Sequence, residues 1–154
     1  MIIPLRDLLR QGRDMYVEES FELPELSEHP GLLDFGSVQA ELRAVPFRSS
    51  VHVTGELRLR VTCNCSRCLE ASQHNLKISL HEIFSYDKRQ SEEDDSPQDL
   101  HEEIHYVTED QVDLRSYILE NVWLNVPLYP VCREDCKGLC PECGVNRNEQ
   151  SCAC

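Results

Sequence analysis

Cysteine spacing constrains this chain more than any other feature of its sequence. The 154 residues contain nine cysteines, and eight of them form four close pairs. The pairs are Cys65 with Cys68, Cys132 with Cys136, Cys140 with Cys143, and Cys152 with Cys154. Two thiolates on either side of a tight turn suit a tetrahedral metal ion, with metal–sulfur bonds of about 2.3 Å. Eight such residues predict two sites with four sulfur ligands each.

Loop length favours one way of assigning the pairs to the two sites. The last four cysteines lie within residues 140–154, so they can close a local knuckle at small entropic cost. The pair at 132 and 136 then joins the pair at 65 and 68 and fastens the tail to the middle of the chain. Cys63 is left over, and we interpret it as a small buried side chain. The alternative is a single metal ion, with the other cysteines free.

The cysteines are expected to hold structural zinc. Arg6 and Asp7 follow the N-terminus too closely for an apolar signal segment to form, so we expect a cytoplasmic protein with reduced thiols. Four sulfur ligands leave Zn²⁺ no open position for water, which argues against Lewis-acid catalysis. A redox dithiol is the alternative, but the chain lacks the βαβ pattern of thioredoxin-like proteins.

Hydrophobic periodicity predicts the fold around these cysteines. Apolar residues occupy alternate positions over 51–65 and again over 76–86, which is typical of strands with one buried face. Gly55 marks a bulge or bend in the first run, and Glu82 interrupts the second. Asp113 is the predicted N-cap of a helix that reaches Val126 and ends before Pro127.

These patterns predict an α+β protein. We expect an antiparallel sheet or small open barrel with a C-terminal helix and a cysteine-rich zinc-binding tail. The body would comprise residues 1–131, and residues 132–154 would form a zinc-binding module packed on it. The longest uncharged stretch near the helix is 121–132, far short of the roughly 20 apolar residues that span a membrane. No nucleotide-binding glycine loop or HExxH motif appears, so we expect no small-molecule substrate.

Charge is distributed unevenly along the chain. The sequence has 15 basic and 28 acidic residues, a net charge of −13. Residues 87–103 carry eight of the acids and predict an acidic flexible loop. Arg58 and Arg60 share the outer face of a predicted strand, and Arg67 lies inside the first cysteine turn. All three arginines are candidates to bind RNA or a protein partner. The alternative is an ordinary solvated strand face.

Three segments together resemble a known family. Val61–Leu69 contains a CxRCL signature, Asp113–Pro127 resembles the family's helix, and the tail from Cys132 to Gly144, with Asn148 and the final cysteine pair, is similar to its C-terminal signature. The family is the bacterial large ribosomal RNA subunit accumulation protein family (YceD), which has plastid relatives. The resemblance covers residues 51–154.

The resemblance implies a role in the synthesis, processing or stability of large-subunit (23S) ribosomal RNA, within ribosome biogenesis. It implies no catalytic residue, so we expect a non-enzymatic factor. The arginine face would dock on RNA or a ribosomal protein, and the acidic loop could engage a basic ribosomal protein. Two alternatives remain open: a zinc-ribbon-like protein–protein adaptor, and a thiol redox or metal-buffer protein.

Overall fold

The computed structural model describes residues 1–86 and 104–154. The predicted acidic loop 87–103 lies outside the described residues. In chain order the described elements are β1 (Ile2–Ile3), α1 (Leu5–Gln11), β2 (Met15–Phe21), a 3₁₀ helix (Pro24–Glu28), β3 (Asp34–Phe35), β4 (Val38–Phe47), β5 (Ser50–Asn64), β6 (Ala71–Ser85), β7 (Ile104–Tyr106), β8 (Val112–Asp113) and α2 (Arg115–Asn125).

One mixed sheet organises the molecule. Its strands follow the order β2-β4-β5-β6-β7, and β3 pairs with the part of β5 that extends beyond β4. All neighbours are antiparallel except β6 and β7, which are parallel. Within the described ranges the two outer strands do not pair with one another, so the sheet is open. The predicted α+β class is confirmed, in its open-sheet form with a C-terminal helix and a cysteine-rich tail.

The core lies on one face of this sheet. Inward side chains of β4, β5 and β6 alternate with more exposed ones. The sequence predicted this alternation for β5 and β6. Leu5 and Leu8 of α1 and Ile118 and Val122 of α2 pack into the same apolar cluster. The helices therefore cover the inward face, while the outward face presents the charged residues of the strands.

The start of α2 differs from its prediction. Asp113 belongs to β8, where it pairs with Ile2, and the helix begins at Arg115. The Asp113 carboxylate accepts a hydrogen bond from the Arg115 N–H at 3.0 Å, so it stabilises the turn before the helix without being its N-cap. Pairing with the N-terminal strand is a long-range contact that the local pattern does not contain. The helix ends at Asn125, before Pro127 as predicted.

The described residues include no helix with the length and apolar composition needed to cross a bilayer.

Candidate metal centres

Four cysteines meet where the β5–β6 turn touches the segment after α2. This clip cluster consists of Cys65, Cys68, Cys132 and Cys136. Its sulfur atoms all lie within 4.8 Å of one another, with 3.8 Å between Cys65 and Cys136 and 3.7 Å between Cys68 and Cys132. Bonds of about 2.3 Å from a central ion to four sulfurs give tetrahedral edges of about 3.8 Å. The spacing therefore fits one tetrahedral ion.

Backbone and side-chain contacts hold the clip cluster in place. The Ser66 N–H donates to the Pro130 carbonyl at 2.7 Å and joins the turn to the tail. The Arg67 N–H points at the Cys65 sulfur at 3.4 Å, and the Asn148 amide points at the Cys136 sulfur at 3.3 Å. Donors aimed at sulfur stabilise thiolates and orient them as ligands.

The thiols of the clip cluster differ in acidity. Burial raises the pKa of Cys65, but backbone N–H groups that donate to its sulfur lower that pKa to about 6. Burial raises the pKa of Cys132 to about 12, together with hydrogen bonds to the neighbouring cysteine sulfurs. Negative charge on one sulfur thus opposes ionisation of the next. A bound cation would remove this conflict, since it stabilises all four thiolates together.

The second set lies entirely in the tail. This tail cluster consists of Cys140, Cys143, Cys152 and Cys154, whose sulfurs also lie within 4.8 Å of one another. The Cys152 sulfur is 3.2 Å from that of Cys140 and 3.4 Å from that of Cys143. Gly144, at a φ of +73°, closes the turn between the first two cysteines by donating its N–H to the Cys140 carbonyl.

Exposure distinguishes the two clusters. Three of the four clip cysteines are buried, whereas Cys143 and Cys154 of the tail cluster are exposed. Backbone N–H groups of Cys143 and Glu142 lower the pKa of Cys140 to about 6. The Cys154 N–H lowers the pKa of Cys152, but hydrogen bonds with the neighbouring thiols raise it to about 12. Each cluster could hold one metal ion in an all-sulfur site, and the tail site would be the more accessible.

Cys63 belongs to neither cluster. It is fully buried in the apolar core on the inward face of β5. Burial raises the pKa of its thiol, so the neutral form is favoured. Its surroundings are those of a small core side chain.

The three candidate arginines occupy two different environments. Arg58 pairs with Glu56 and, at 3.0 Å, with Glu41, while Arg67 donates to the backbone carbonyls of Glu134 and Cys136 at 3.0 and 3.1 Å. Arg60 is exposed and forms no ion pair with any residue of the described ranges. Arg58 and Arg60 line one open groove of about 660 Å³ on the outward face, and Arg67 lies at the clip cluster instead.

Sequence reasoning missed a polar cluster on the inward face. One Glu82 carboxylate oxygen lies 2.7 Å from His105 Nε2, and the other accepts a hydrogen bond from the Asn121 amide at 2.9 Å. These contacts connect β6, β7 and α2. The signal in the sequence is Glu82 itself, an acid at an inward position of an alternating strand, but its partners lie 23 and 39 residues away.

Comparison with known proteins places these sites in a shared segment. The family model described as large ribosomal RNA subunit accumulation protein YceD matches residues 53–154, which include both clusters. An uncharacterized protein of Mycobacterium tuberculosis is 35% identical over 105 residues, which is 68% of this chain and 49% of that protein.

Plant proteins also match. The Arabidopsis thaliana "Large ribosomal RNA subunit accumulation protein YCED homolog 1, chloroplastic" is 25% identical over 139 residues, 76% of this chain and 43% of that protein. Its Zea mays namesake is 26% identical over 131 residues, 70% of this chain and 45% of that protein. The chain thus spans about half the length of the curated relatives it matches. No solved structure matches the chain.

Proposed function

Since this chain belongs to the large ribosomal RNA subunit accumulation protein family YceD, we propose that it supports the synthesis, processing or stability of 23S ribosomal RNA in the cytoplasm. The single observation that carries the proposal is the family match over residues 53–154, the same segment that forms the two cysteine clusters and most of the sheet. The protein would act without catalysis, as a docking factor in assembly of the large ribosomal subunit.

Zinc is the ion we propose for both clusters. Thiolate-only donor sets and tetrahedral spacing suit Zn²⁺, and full sulfur coordination suits a structural role. The eight paired cysteines would be the ligands: Cys65, Cys68, Cys132 and Cys136 in the clip cluster, and Cys140, Cys143, Cys152 and Cys154 in the tail cluster. When bound, the ion would cross-link the chain segments that carry its cysteine ligands. The protein's own residues position the thiolates and carry the surfaces that contact partners.

The proposed contact with the assembling subunit includes the outward groove. Of the candidate residues Arg58, Arg60 and Arg67, Arg60 has the most free hydrogen-bonding capacity because the other two already contact Glu41, Glu56 and tail carbonyls. Arg60 has no carboxylate partner within residues 1–86 and 104–154, and such a guanidinium is suited to a phosphate of ribosomal RNA. Ribosomal proteins are the other proposed partners.

The test is the ratio of large- to small-subunit ribosomal RNA in cells depleted of this protein. We expect the ratio to fall and wild-type protein to restore it. Arg60→Gln should restore it incompletely, whereas Arg13→Gln, which removes the same charge from an exposed position outside the groove, should restore it fully. An unchanged ratio under normal and stressed growth would reject the proposed function.

A protein–protein adaptor is the second candidate, and one observation favours it. Three large apolar side chains, Leu124, Leu128 and Tyr129, are mostly exposed at the end of α2 and in the segment that leads to the clip cluster. The two candidates differ in what the depletion experiment shows: an adaptor acting elsewhere leaves the ribosomal RNA ratio unchanged.

A further inference from the structure

Three large apolar side chains stand out from the surface at the end of α2 and in the segment that follows. The exposed fractions are 74% for Leu124, 84% for Leu128 and 83% for Tyr129. They lie within residues 121–132, which contain no charged side chain. Large apolar side chains exposed so close together in the sequence are typical of contact sites for other molecules.

The backbone that carries these side chains is fixed at both ends. Val126, at the end of α2, is buried against the core and only 3% exposed. At the other end the Pro130 carbonyl accepts the Ser66 N–H at 2.7 Å, and Val131 packs against the clip cluster. Leu128 and Tyr129 therefore sit on a short bridge between the helix and the cysteine turn. Such pre-organisation lowers the entropy lost on binding.

Charge decides which kind of partner fits this surface. The chain has a net charge of −13, so a second copy and an anionic membrane are repelled at long range, and RNA requires local basic groups such as those of the outward groove. Residues 121–132 offer no lysine or arginine for a phosphate. Exposed acids lie on both sides of the segment at Glu120, Glu134 and Asp135. Arg133, the one base beside the segment, is paired with Asp135 at 3.3 Å, so the flanks remain net acidic. A protein of net positive charge is the partner that all these features attract.

We propose that Leu124, Leu128 and Tyr129 form a docking surface for a basic protein that offers an apolar pocket. The inference rests on the proposed function in one respect, since the assembling large subunit would supply the partner. Tyrosine is enriched among the residues that dominate binding energy at protein interfaces, so Tyr129 is the expected anchor. The acidic surface would speed the encounter, and the apolar side chains would hold the complex.

Site-specific photocrosslinking tests this proposal in cells that express the full chain. A photoreactive benzoylphenylalanine replaces Tyr129 in one strain and Tyr16 in another. Tyr16 is a matched control because it is 72% exposed and lies on β2, a strand distant in sequence from the segment. We expect position 129, and not position 16, to crosslink to one protein with an isoelectric point above about 9.

The crosslinked protein, identified by mass spectrometry and purified, is then titrated against variants of the zinc-loaded chain. Leu128→Ala with Tyr129→Ala should weaken its binding about tenfold or more. Leu33→Ala with Tyr16→Ala removes comparable exposed side chains elsewhere and should leave the affinity unchanged. Both double variants should keep the metal content and unfolding midpoint of wild type, since all four side chains are exposed. Binding should also weaken as salt rises.

Several results would overturn the proposal. These are a crosslink from position 129 to RNA, to a second copy or to an acidic protein, equal crosslinking at both positions, or unchanged affinity of the Leu128 and Tyr129 variant. If wild type restores the ribosomal RNA ratio but position 129 captures no basic protein, the docking inference fails and the proposed function stands. If depletion leaves the ratio unchanged while position 129 captures a basic protein, the proposed function fails and the docking surface stands.

Discussion

At the scale of single residues, Gly55 shows how closely two strands approach. It faces inward on β5, with Leu42 opposite it on β4 and Leu80 on β6. The strand registers continue through it without interruption, so it is a site of close backbone contact and not a bulge. A Cβ atom at this position would lie 2.1 Å from the Glu41 carbonyl oxygen and 2.8 Å from the Leu42 Cα. The φ of +158° also departs from the usual strand range.

We therefore expect Gly55→Ala to lower the free energy of unfolding by about 2–3 kcal/mol or more, because the β4 backbone must move to admit a methyl group. Urea denaturation of the metal-loaded protein measures this change. Gly36→Ala is the matched control, since the nearest atom to its added Cβ is 3.8 Å away. Equal stability of the two variants would show that the strands can separate at Gly55 without loss.

At the scale of secondary-structure elements, the Glu82 carboxylate attaches β7 and α2 to β6. Side-chain exposure is 13% at Glu82 and 21% at His105, so their contact is largely shielded from water. His105 also lies against the Phe84 and Tyr117 rings, with centroid distances of 5.3 and 4.7 Å. A short three-residue strand such as β7 needs contacts of this kind, because three ladder positions alone bind it weakly.

A double-mutant cycle on Glu82→Ala and His105→Ala should give a coupling free energy of about 1 kcal/mol or more. Glu82→Ala alone should destabilise the protein by about 1–3 kcal/mol, since the partly buried His105 loses its carboxylate partner and the Asn121 amide keeps only the Tyr117 carbonyl. Glu120→Ala on the exposed face of α2 serves as the control and should change the unfolding free energy by less than about 0.5 kcal/mol. Additive effects of the two substitutions would contradict the assignment.

At the scale of the whole molecule, the two clusters differ in what they hold together. The clip cluster joins the β5–β6 turn to a segment more than 60 residues later, with separations of 64 and 71 residues between its closest sulfur pairs. The tail cluster closes only a local knuckle. Loss of an ion from the first would release the tail from the sheet, and loss from the second would affect the knuckle alone.

A chelator titration should therefore release two zinc ions per chain in two steps. The tail cluster should lose its ion first, because Cys143 and Cys154 are exposed and open to a competing ligand. Cys154→Ser should abolish the first step and Cys136→Ser the second, while Cys63→Ala should keep both ions. Metal analysis at each step, with limited proteolysis after α2 as the structural readout, measures this order. Release in one step, or from the clip cluster first, would contradict it.

The sequence predicts those features that depend on neighbours along the chain. Alternation over β5 and β6, the proline that ends α2 and the close cysteine pairs are local signals, and the structure contains the corresponding elements. Loop length also favours the partition in which Cys65 and Cys68 meet Cys132 and Cys136, because the last four cysteines can close a knuckle among themselves.

Long-range contacts explain what the sequence does not reveal. Residues 1–50 supply β2, β3 and β4; β3 and β4 pair with β5, and β2 pairs with β4 in turn, so the position of each depends on a partner elsewhere in the chain. Glu41, one of the two acids that pair with Arg58, and the carbonyls that accept hydrogen bonds from Arg67 likewise come from other segments. Arginines that the sequence marks as candidate ligands for RNA can therefore already be engaged by other parts of the chain.

The position of the clip cysteines in the chain also determines when the clip cluster can be completed during synthesis. The ribosome makes Cys65 and Cys68 first, and Cys132 follows 64 positions after Cys68. At roughly 5–20 residues per second, about 3–13 seconds pass before the third ligand, Cys132, is made. Throughout that interval they can form at most half of a coordination sphere. Stable binding of an ion at this site is therefore a late event. A four-sulfur clip cluster can form only after the chain has been synthesised through Cys136.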